Sequence, residues 1–231
     1  MKAIVLCGGL GTRLGLLTKE MPKPLLTVAG RPFIAHVLDR LTQAGITGLV
    51  LAAGFQWAKL RDYIGGNWNG IPVKYSVESE ALGTGGAIKY ALSSTDFHES
   101  LIVNGDTLFD IDIPKFLQFA IGTQALACIA LRKVEDCSRY GRVTIDTKGK
   151  ILSFGEKEKH GEGLINGGVY YLRRSALDSI LLKTFSFETA FLQEKHSREP
   201  IFGMPFDDYF IDIGIPADLH RAQAELLTLK Q

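Results

Sequence analysis

The apolar run Ala3-Ile4-Val5-Leu6 opens the chain and predicts a strand buried on both faces. Gly8, Gly9 and Gly11 follow it, removing three side chains where the backbone must turn sharply. After 25–28 and an Ala29-Gly30 turn, the apolar positions Phe33, Ile34, Val37, Leu38 and Leu41 recur at helical spacing. Pro32 starts that helix, and Gly45 stands where a C-terminal glycine is expected. Residues 48–53 predict a second buried strand, 57–64 a helix ended by Gly65-Gly66, and 73–77 a third strand. Strand, helix, strand, helix, strand in that order predicts a parallel sheet with right-handed crossovers and helices on both faces.

Beyond the third strand the pattern becomes richer in strands. A glycine-rich loop, 78–86, precedes a helix at 87–92, and 101–103 is a further buried strand. Residues 125–131 read as a strand, and 143–145 with 151–154 as a hairpin around Thr147-Lys148-Gly149. Strands at 169–172 and 209–211 follow, then a helix after Pro216 with Leu219, Ala222, Leu226 and Leu227 on its apolar side. The expected fold class is α/β. A Rossmann-like, mostly parallel central sheet carries helices on both faces and a small β-rich portion. No internal repeat or low-complexity linker divides the 231 residues, so one domain, 1–231, is expected.

Composition narrows the partners. A net charge of +1 supplies no global field for nucleic acid or membrane, so an anion must be held by local cations. The N-terminal apolar run is too short for a signal peptide and no stretch has transmembrane length. Cys7, Cys128 and Cys137 form no CxxC pair, and the histidines lack ligand spacing, so neither a disulfide nor a zinc site is expected. The expected compartment is cytoplasmic. A homo-oligomer stays open.

Ligands on such sheets gather beyond the carboxyl ends of the strands, where residues 8–13, 78–86 and 104–106 fall. The glycines of the first loop can bring N–H groups against phosphate oxygens. Arg13 adds a forked cation, and Lys23 lies between Pro22 and Pro24. Pro24 disfavours a helical Lys23, so a stiff extended presentation is expected. Common nucleotide motifs do not fit. Thr12-Arg13-Leu14 replaces the Gly-Lys-Ser/Thr of a P-loop, and Leu14 replaces the third glycine of a dinucleotide fingerprint. Glycines alone would also fit a strand-to-helix turn without a ligand. Asp106 and Asp212 each leave an apolar strand, which is costly without a cation or strong donors. An Asx-turn is the plain alternative for Asp106. Asp110, Asp112, Asp207 and Asp208 read as solvated loop acids.

Taken together, GGxGTR (8–13) and Pro-Lys-Pro (22–24) resemble the signature of the sugar nucleotidyltransferases, or nucleotide-sugar pyrophosphorylases. The resemblance extends along the whole chain. It implies a nucleotide site of Leu6, Gly8, Gly9, Gly11, Thr12, Arg13, Lys23, Glu78, Gly83, Thr84, Asn104 and Gly105. It implies a sugar-phosphate site of Tyr140, Gly141, Glu156, Lys157, Asn166, Gly167, Phe187 and Glu188. Residues 1–112 would then serve mainly the nucleotide and 113–231 mainly the sugar phosphate. Arg13, Lys23 and Asp106 would be catalytic, with Mg²⁺ on Asp106 and Asp212. Without the resemblance, Lys157 in Glu156-Lys157-Glu158-Lys159 would be a surface charge cluster and Glu188 a helix N-terminal acid.

The resemblance also implies that Glu78 stands at the base-reading position. One carboxylate can accept from guanine's N1–H and amino group together, whereas uracil and thymine offer one donor there. That favours GTP, although uridylyl-transferring relatives acting on N-acetylmuramate 1-phosphate also carry acidic residues hereabouts. Residues 82–86, 103–106, 153–157 and 186–188 are most similar to family members that join GTP to a heptose 1-phosphate. Mannose 1-phosphate with GTP, an amino-sugar 1-phosphate with UTP, and a non-catalytic nucleotide-sugar sensor are the alternatives.

Overall fold

The computed structural model describes residues 1–9, 11–156 and 160–228. In chain order the main elements are β1 (Ala3–Leu6), α1 (Phe33–Gln43), β2 (Leu49–Ala53), α2 (Trp57–Ile64), β3 (Ile71–Val77) and α3 (Gly83–Ser93). Then come β4 (Glu99–Asn104), β5 (Thr107–Phe109), α4 (Ile113–Gly122), β6 (Ala127–Val134), β7 (Val143–Ile145) and β8 (Ile151–Phe154). β9 (Gly163–Arg173), β10 (Ile201–Phe206), β11 (Phe210–Asp212) and α5 (Pro216–Thr228) complete the chain.

One sheet runs β8-β7-β9-β4-β1-β2-β3, with β6 and β10 joined to it through β9. β1 pairs in parallel with both β2 and β4, and β2 with β3, as the alternation of strand and helix requires. Alternate residues of β1 point to opposite faces: Ala3 and Val5 enter one core, and Ile4 the other. α1 covers the first face through Phe33, Ile34, Val37, Leu38 and Leu41. α3 covers the second through Ala87, Ile88, Ala91 and Leu92. Both faces are therefore dry, and the parallel strands read as continuous apolar runs.

β9 ties the later strands to the earlier ones. Its residues Val169–Arg173 lie antiparallel to β4, and two stretches of it pair with β6 around an irregularity between Asn166 and Tyr170. The Asn166-Gly167-Gly168 segment is thus a break inside one long strand, not the opening of a strand at 169. The helix expected at 87–92 begins earlier as well. Gly83–Gly86 form its first turn, because the bare backbone lets another segment pack directly on it, as described below.

Candidate active site

The loops after β1, β2, β3 and β4 leave the same edge of the sheet, as they must when these strands are parallel. Those after β1, β2 and β3 border a cleft of about 650 Å³, lined by Gly8 and Gly9, by Gly54 and Phe55, and by Glu78, Gly83 and Thr84. A smaller cleft of about 200 Å³, lined by Gly11, Arg13, Lys23, Asp106 and Gly214, adjoins it. Leu6, Gly8, Gly9 and Thr12 line both, so the two form a continuous trough.

The glycine loop is held from below. Gly11 has φ 59°, and a Cβ there would lie 2.8 Å from the Thr18 side chain. The buried Thr18 hydroxyl donates to the carbonyls of Gly11 at 3.0 Å and Gly15 at 3.3 Å, which fixes the loop's curvature. Gly105 plays a different part. Its N–H donates to the Leu6 carbonyl at 2.9 Å, and a Cβ would lie 2.9 Å from that same oxygen. Only glycine lets the end of β4 approach β1 this closely, and that approach sets Asp106 beside the glycine loop.

Asp212 reaches the same point by a separate route. β11 pairs antiparallel with β5, with Asp212 opposite Thr107, the neighbour of Asp106. Between the two carboxylates lies Lys23, only 8% exposed. Its ammonium pairs with Asp106 and stands 3.7 Å from Asp212. The lysine is not on an extended segment. Lys23–Leu25 form one 3₁₀ turn after an extended Pro22. The turn's hydrogen bonds are donated by Leu25 and Leu26, so the missing N–H of Pro24 costs nothing there. Two tertiary ion pairs outweigh the local preference against a turn before proline.

Burial holds the Asp212 carboxyl above its usual range, and the Asp106 charge adds to this. Lys23, the Gly214 N–H and Arg13 pull the other way. A Cβ on Gly214 would lie 2.9 Å from the Asp212 carboxylate, so glycine keeps that N–H close. Arg13 itself is exposed at the rim. Asp110 and Asp112 are not free loop acids. Asp110 pairs with Arg40 at 2.7 Å, and Asp112 caps α4 by accepting from the Lys115 N–H at 2.9 Å. The Asp207 side chain is 82% exposed, as expected of a solvated acid.

At the other end of the trough, Glu78 leaves β3 and accepts from the Leu82 N–H at 3.0 Å. Burial raises its carboxyl above the ordinary range, and the Leu82 bond partly opposes this. The glycines beyond it are packing surfaces. A Cβ would lie 2.6 Å from the Phe185 carbonyl at Gly83, and 2.4 Å from the Lys183 carbonyl at Gly86. The segment 183–185 therefore lies against the helix start.

The expected sugar-phosphate residues approach from β9 and its neighbours. Tyr140 sets its ring edge-on to Phe210, with centroids 6.0 Å apart, and burial and Asp212 raise its phenol. Gly141, with φ 82°, brings this loop against Gly155, next to Glu156. Lys157 lies outside the described residues. A Cβ on Gly167 would run into the Phe109 ring at 2.3 Å, and one on Gly168 would meet Asn104 at 2.8 Å. The break in β9 thereby packs Gly168 directly against Asn104. Asn166 donates to the Tyr170 hydroxyl at 2.9 Å. Glu188 accepts from the hydroxyls of Thr84 at 2.6 Å and Ser186 at 2.9 Å. Phe187 lines neither of the two clefts. It is fully buried, stacked on Phe191 and edge-on to Tyr170.

A family model described as nucleotidyl transferase matches residues 2–228. The chain belongs to that family. A D-glycero-alpha-D-manno-heptose 1-phosphate guanylyltransferase of Campylobacter jejuni is 42% identical over 222 residues, covering 96% of this chain and 98% of that one. Its namesake from Aneurinibacillus thermoaerophilus is 40% identical over 227 residues, covering 98% of each chain. Among solved structures, HddC from Yersinia pseudotuberculosis complexed with GMP-PN aligns with a TM-score of 0.86 at 32% identity. That alignment covers 97% of this chain and 99% of HddC.

Sequence reasoning about this nucleotidyl transferase passed over Gly54, Phe55, Thr18, Gly214 and Tyr170. Gly54 and Phe55 carried the same signal as the other loops, since they directly follow the apolar run of β2. Thr18 and Tyr170 carried none, because each works through a hydrogen bond to residues that only the fold brings near. Among the described residues no helix is long and apolar enough to cross a membrane. No group of three or more His, Cys, Asp and Glu side chains converges among them either.

Proposed function

We propose that this protein transfers GMP from GTP to D-glycero-α-D-manno-heptose 1-phosphate, giving GDP-heptose and pyrophosphate in the cytoplasm. The observation that carries the reaction class is the trough, with Lys23 held between Asp106 and Asp212 at one end and Glu78 at the other. The names and full-length coverage of the two relatives support the choice of sugar.

A sugar phosphate oxygen attacks the α-phosphorus in line, and the bond from that phosphorus to the β-phosphate bridge breaks opposite it. The nucleophile needs no general base, since a phosphate monoester loses its second proton near pH ~6. The difficulty is bringing two polyanions together, so the protein's part is positioning and charge neutralisation. Gly8, Gly9 and Gly11 present backbone to the phosphates, and Arg13 holds the departing pyrophosphate. Lys23 stabilises charge growing at the α-phosphoryl group. Its fixed position between two carboxylates keeps the ammonium oriented before substrate arrives. Glu78 accepts from the two donors of guanine. Lys157 is assigned to the sugar phosphate by resemblance alone.

Two carboxylates from different strands, converging on one cationic centre, fit a hard divalent ion that takes oxygen ligands. Asp106 and Asp212 would hold Mg²⁺, which neutralises charge on phosphate oxygens when bound.

Steady-state kinetics of four nucleoside triphosphates against heptose, mannose and amino-sugar 1-phosphates test the assignment. GTP with the heptose is expected to give the highest kcat/KM. Mannose lacks one hydroxylated carbon, a difference worth about 1–3 kcal/mol, so it should turn over roughly ten- to two-hundred-fold less well. A preference for UTP, or mannose at least equal to heptose, would overturn the assignment.

A further inference from the structure

Thr84 lies in the first turn of α3 and lines the larger cleft, yet its hydroxyl is engaged elsewhere. A threonine hydroxyl has one proton to donate and two lone pairs. The proton goes to Glu188 Oε2 at 2.6 Å, and one lone pair accepts the Phe187 N–H at 2.9 Å. These partners lie 104 and 103 residues further along the chain. A bond this short to a carboxylate is of the strong, charge-assisted kind.

The surrounding bonds tie the same two segments. Phe185 N–H donates to the Leu82 carbonyl at 3.0 Å, and the Gly85 and Gly86 N–H groups donate to the Phe185 carbonyl at 3.0 and 3.3 Å. Leu82 is also the residue whose N–H meets Glu78. On the far side, Glu188 Oε1 receives the Tyr170 hydroxyl at 3.4 Å, which in turn accepts from Asn166 at 2.9 Å. A chain of contacts therefore runs from the proposed base-reading carboxylate to two proposed sugar-site side chains. Thr84 is its side-chain link between the halves.

We propose that Thr84 is a positioning residue for the sugar 1-phosphate: its hydroxyl fixes Glu188, so the nucleotide loop sets the geometry of the sugar site. The sugar-site role of Glu188 and the naming of the sugar rest on the function proposed above; the hydrogen bonds do not. Without the hydroxyl, Glu188 Oε2 keeps Ser186 as its one side-chain donor among the described residues, and the Phe187 N–H loses the acceptor it has there.

Thr84→Val keeps the β-branched shape and removes the hydroxyl, while Thr84→Ser keeps the hydroxyl. Thr84→Val should lower kcat/KM for heptose 1-phosphate by roughly tenfold or more, the cost of a lost bond to a charged group. KM for GTP should stay within about twofold, because the hydroxyl's proton and one of its lone pairs are already committed to Glu188 and to the Phe187 N–H. In ligand-free protein, amide hydrogen exchange at Phe187 should quicken by about tenfold, reporting local loosening of the segment. Thr84→Ser should restore both values. A raised KM for GTP with unchanged sugar kinetics would assign the hydroxyl to the nucleotide and overturn the proposal. Unchanged exchange at Phe187 would overturn it too. A wild-type protein inactive with every sugar phosphate would instead defeat the reaction assignment, leaving the exchange measurement to decide the positioning.

Discussion

Lys23 does two jobs that its neighbours make inseparable. It is buried between Asp106 and Asp212, and it faces the smaller cleft. Lys23→Ala should lower kcat by about 10²–10³, the range for one preorganised transition-state donor. It should also destabilise the fold, which the sequence alone did not suggest. Breaking a buried pair costs about 3–5 kcal/mol, but the Asp106 side chain is 35% exposed and so partly screened, and about 1–3 kcal/mol is expected. Urea denaturation beside single-turnover kinetics separates the two effects. Asp212→Asn should behave oppositely in EDTA at neutral pH. Burial and Asp106 hold the Asp212 carboxyl above its usual range, so its ionised form is disfavoured in the fold and stability falls as pH rises through that pKa. The neutral amide escapes that cost, so Tm in EDTA should rise, whereas turnover measured with Mg²⁺ should be lost. A Tm that falls would show that the pairing with Lys23 outweighs the burial. At this scale the sequence was informative about residue type and poor about partners. Both aspartates were visible because each ends an apolar strand. That they flank Lys23 was not, because β5 and β11 pair across a long separation.

Among the elements, β3 and α3 carry the base end. Glu78 leaves β3 with its carboxyl raised above the ordinary value of 4.5, chiefly by burial. The ionised form that accepts from guanine should therefore be lost on acidification sooner than for an exposed glutamate. KM for GTP should rise as pH falls, and should do so at a higher pH than an exposed glutamate would set. Glu78→Gln should remove that limb of the profile and weaken discrimination against UTP. An unchanged pH profile in the variant would remove Glu78 from base recognition. In α3, Gly86 offers a test of sign. Glycine to alanine inside a helix ordinarily stabilises by about 1 kcal/mol. Here the new Cβ would lie 2.4 Å from the Lys183 carbonyl and 2.8 Å from Leu82. Gly86→Ala should instead destabilise by about 1–3 kcal/mol, the range for overpacking, with the shift read from the urea midpoint. The same contact explains why helix α3 was placed too late from sequence. Four residues including three glycines have low helical propensity, and a distant segment stabilises the turn they form.

Across the whole molecule, the alternation of strands and helices over the first three strands was enough to imply a parallel sheet, and the loops at one edge followed from it. The later strands were legible only singly. Nothing local reports that β9 pairs with β4, β6 and β7, or that its interruption at Asn166–Gly168 arises from close packing on Phe109 and Asn104. That pairing joins the loops at the strand ends to the proposed sugar residues in one body, and catalysis by positioning depends on it. The most direct test of the account is product stoichiometry. Wild-type protein is incubated with GTP, heptose 1-phosphate and Mg²⁺, and pyrophosphate and GDP-heptose are quantified together. The account predicts equal amounts of the two products, and neither when Mg²⁺ is replaced by EDTA. Nucleotide that binds without pyrophosphate release would contradict it and make the chain a sensor, as would full turnover in EDTA.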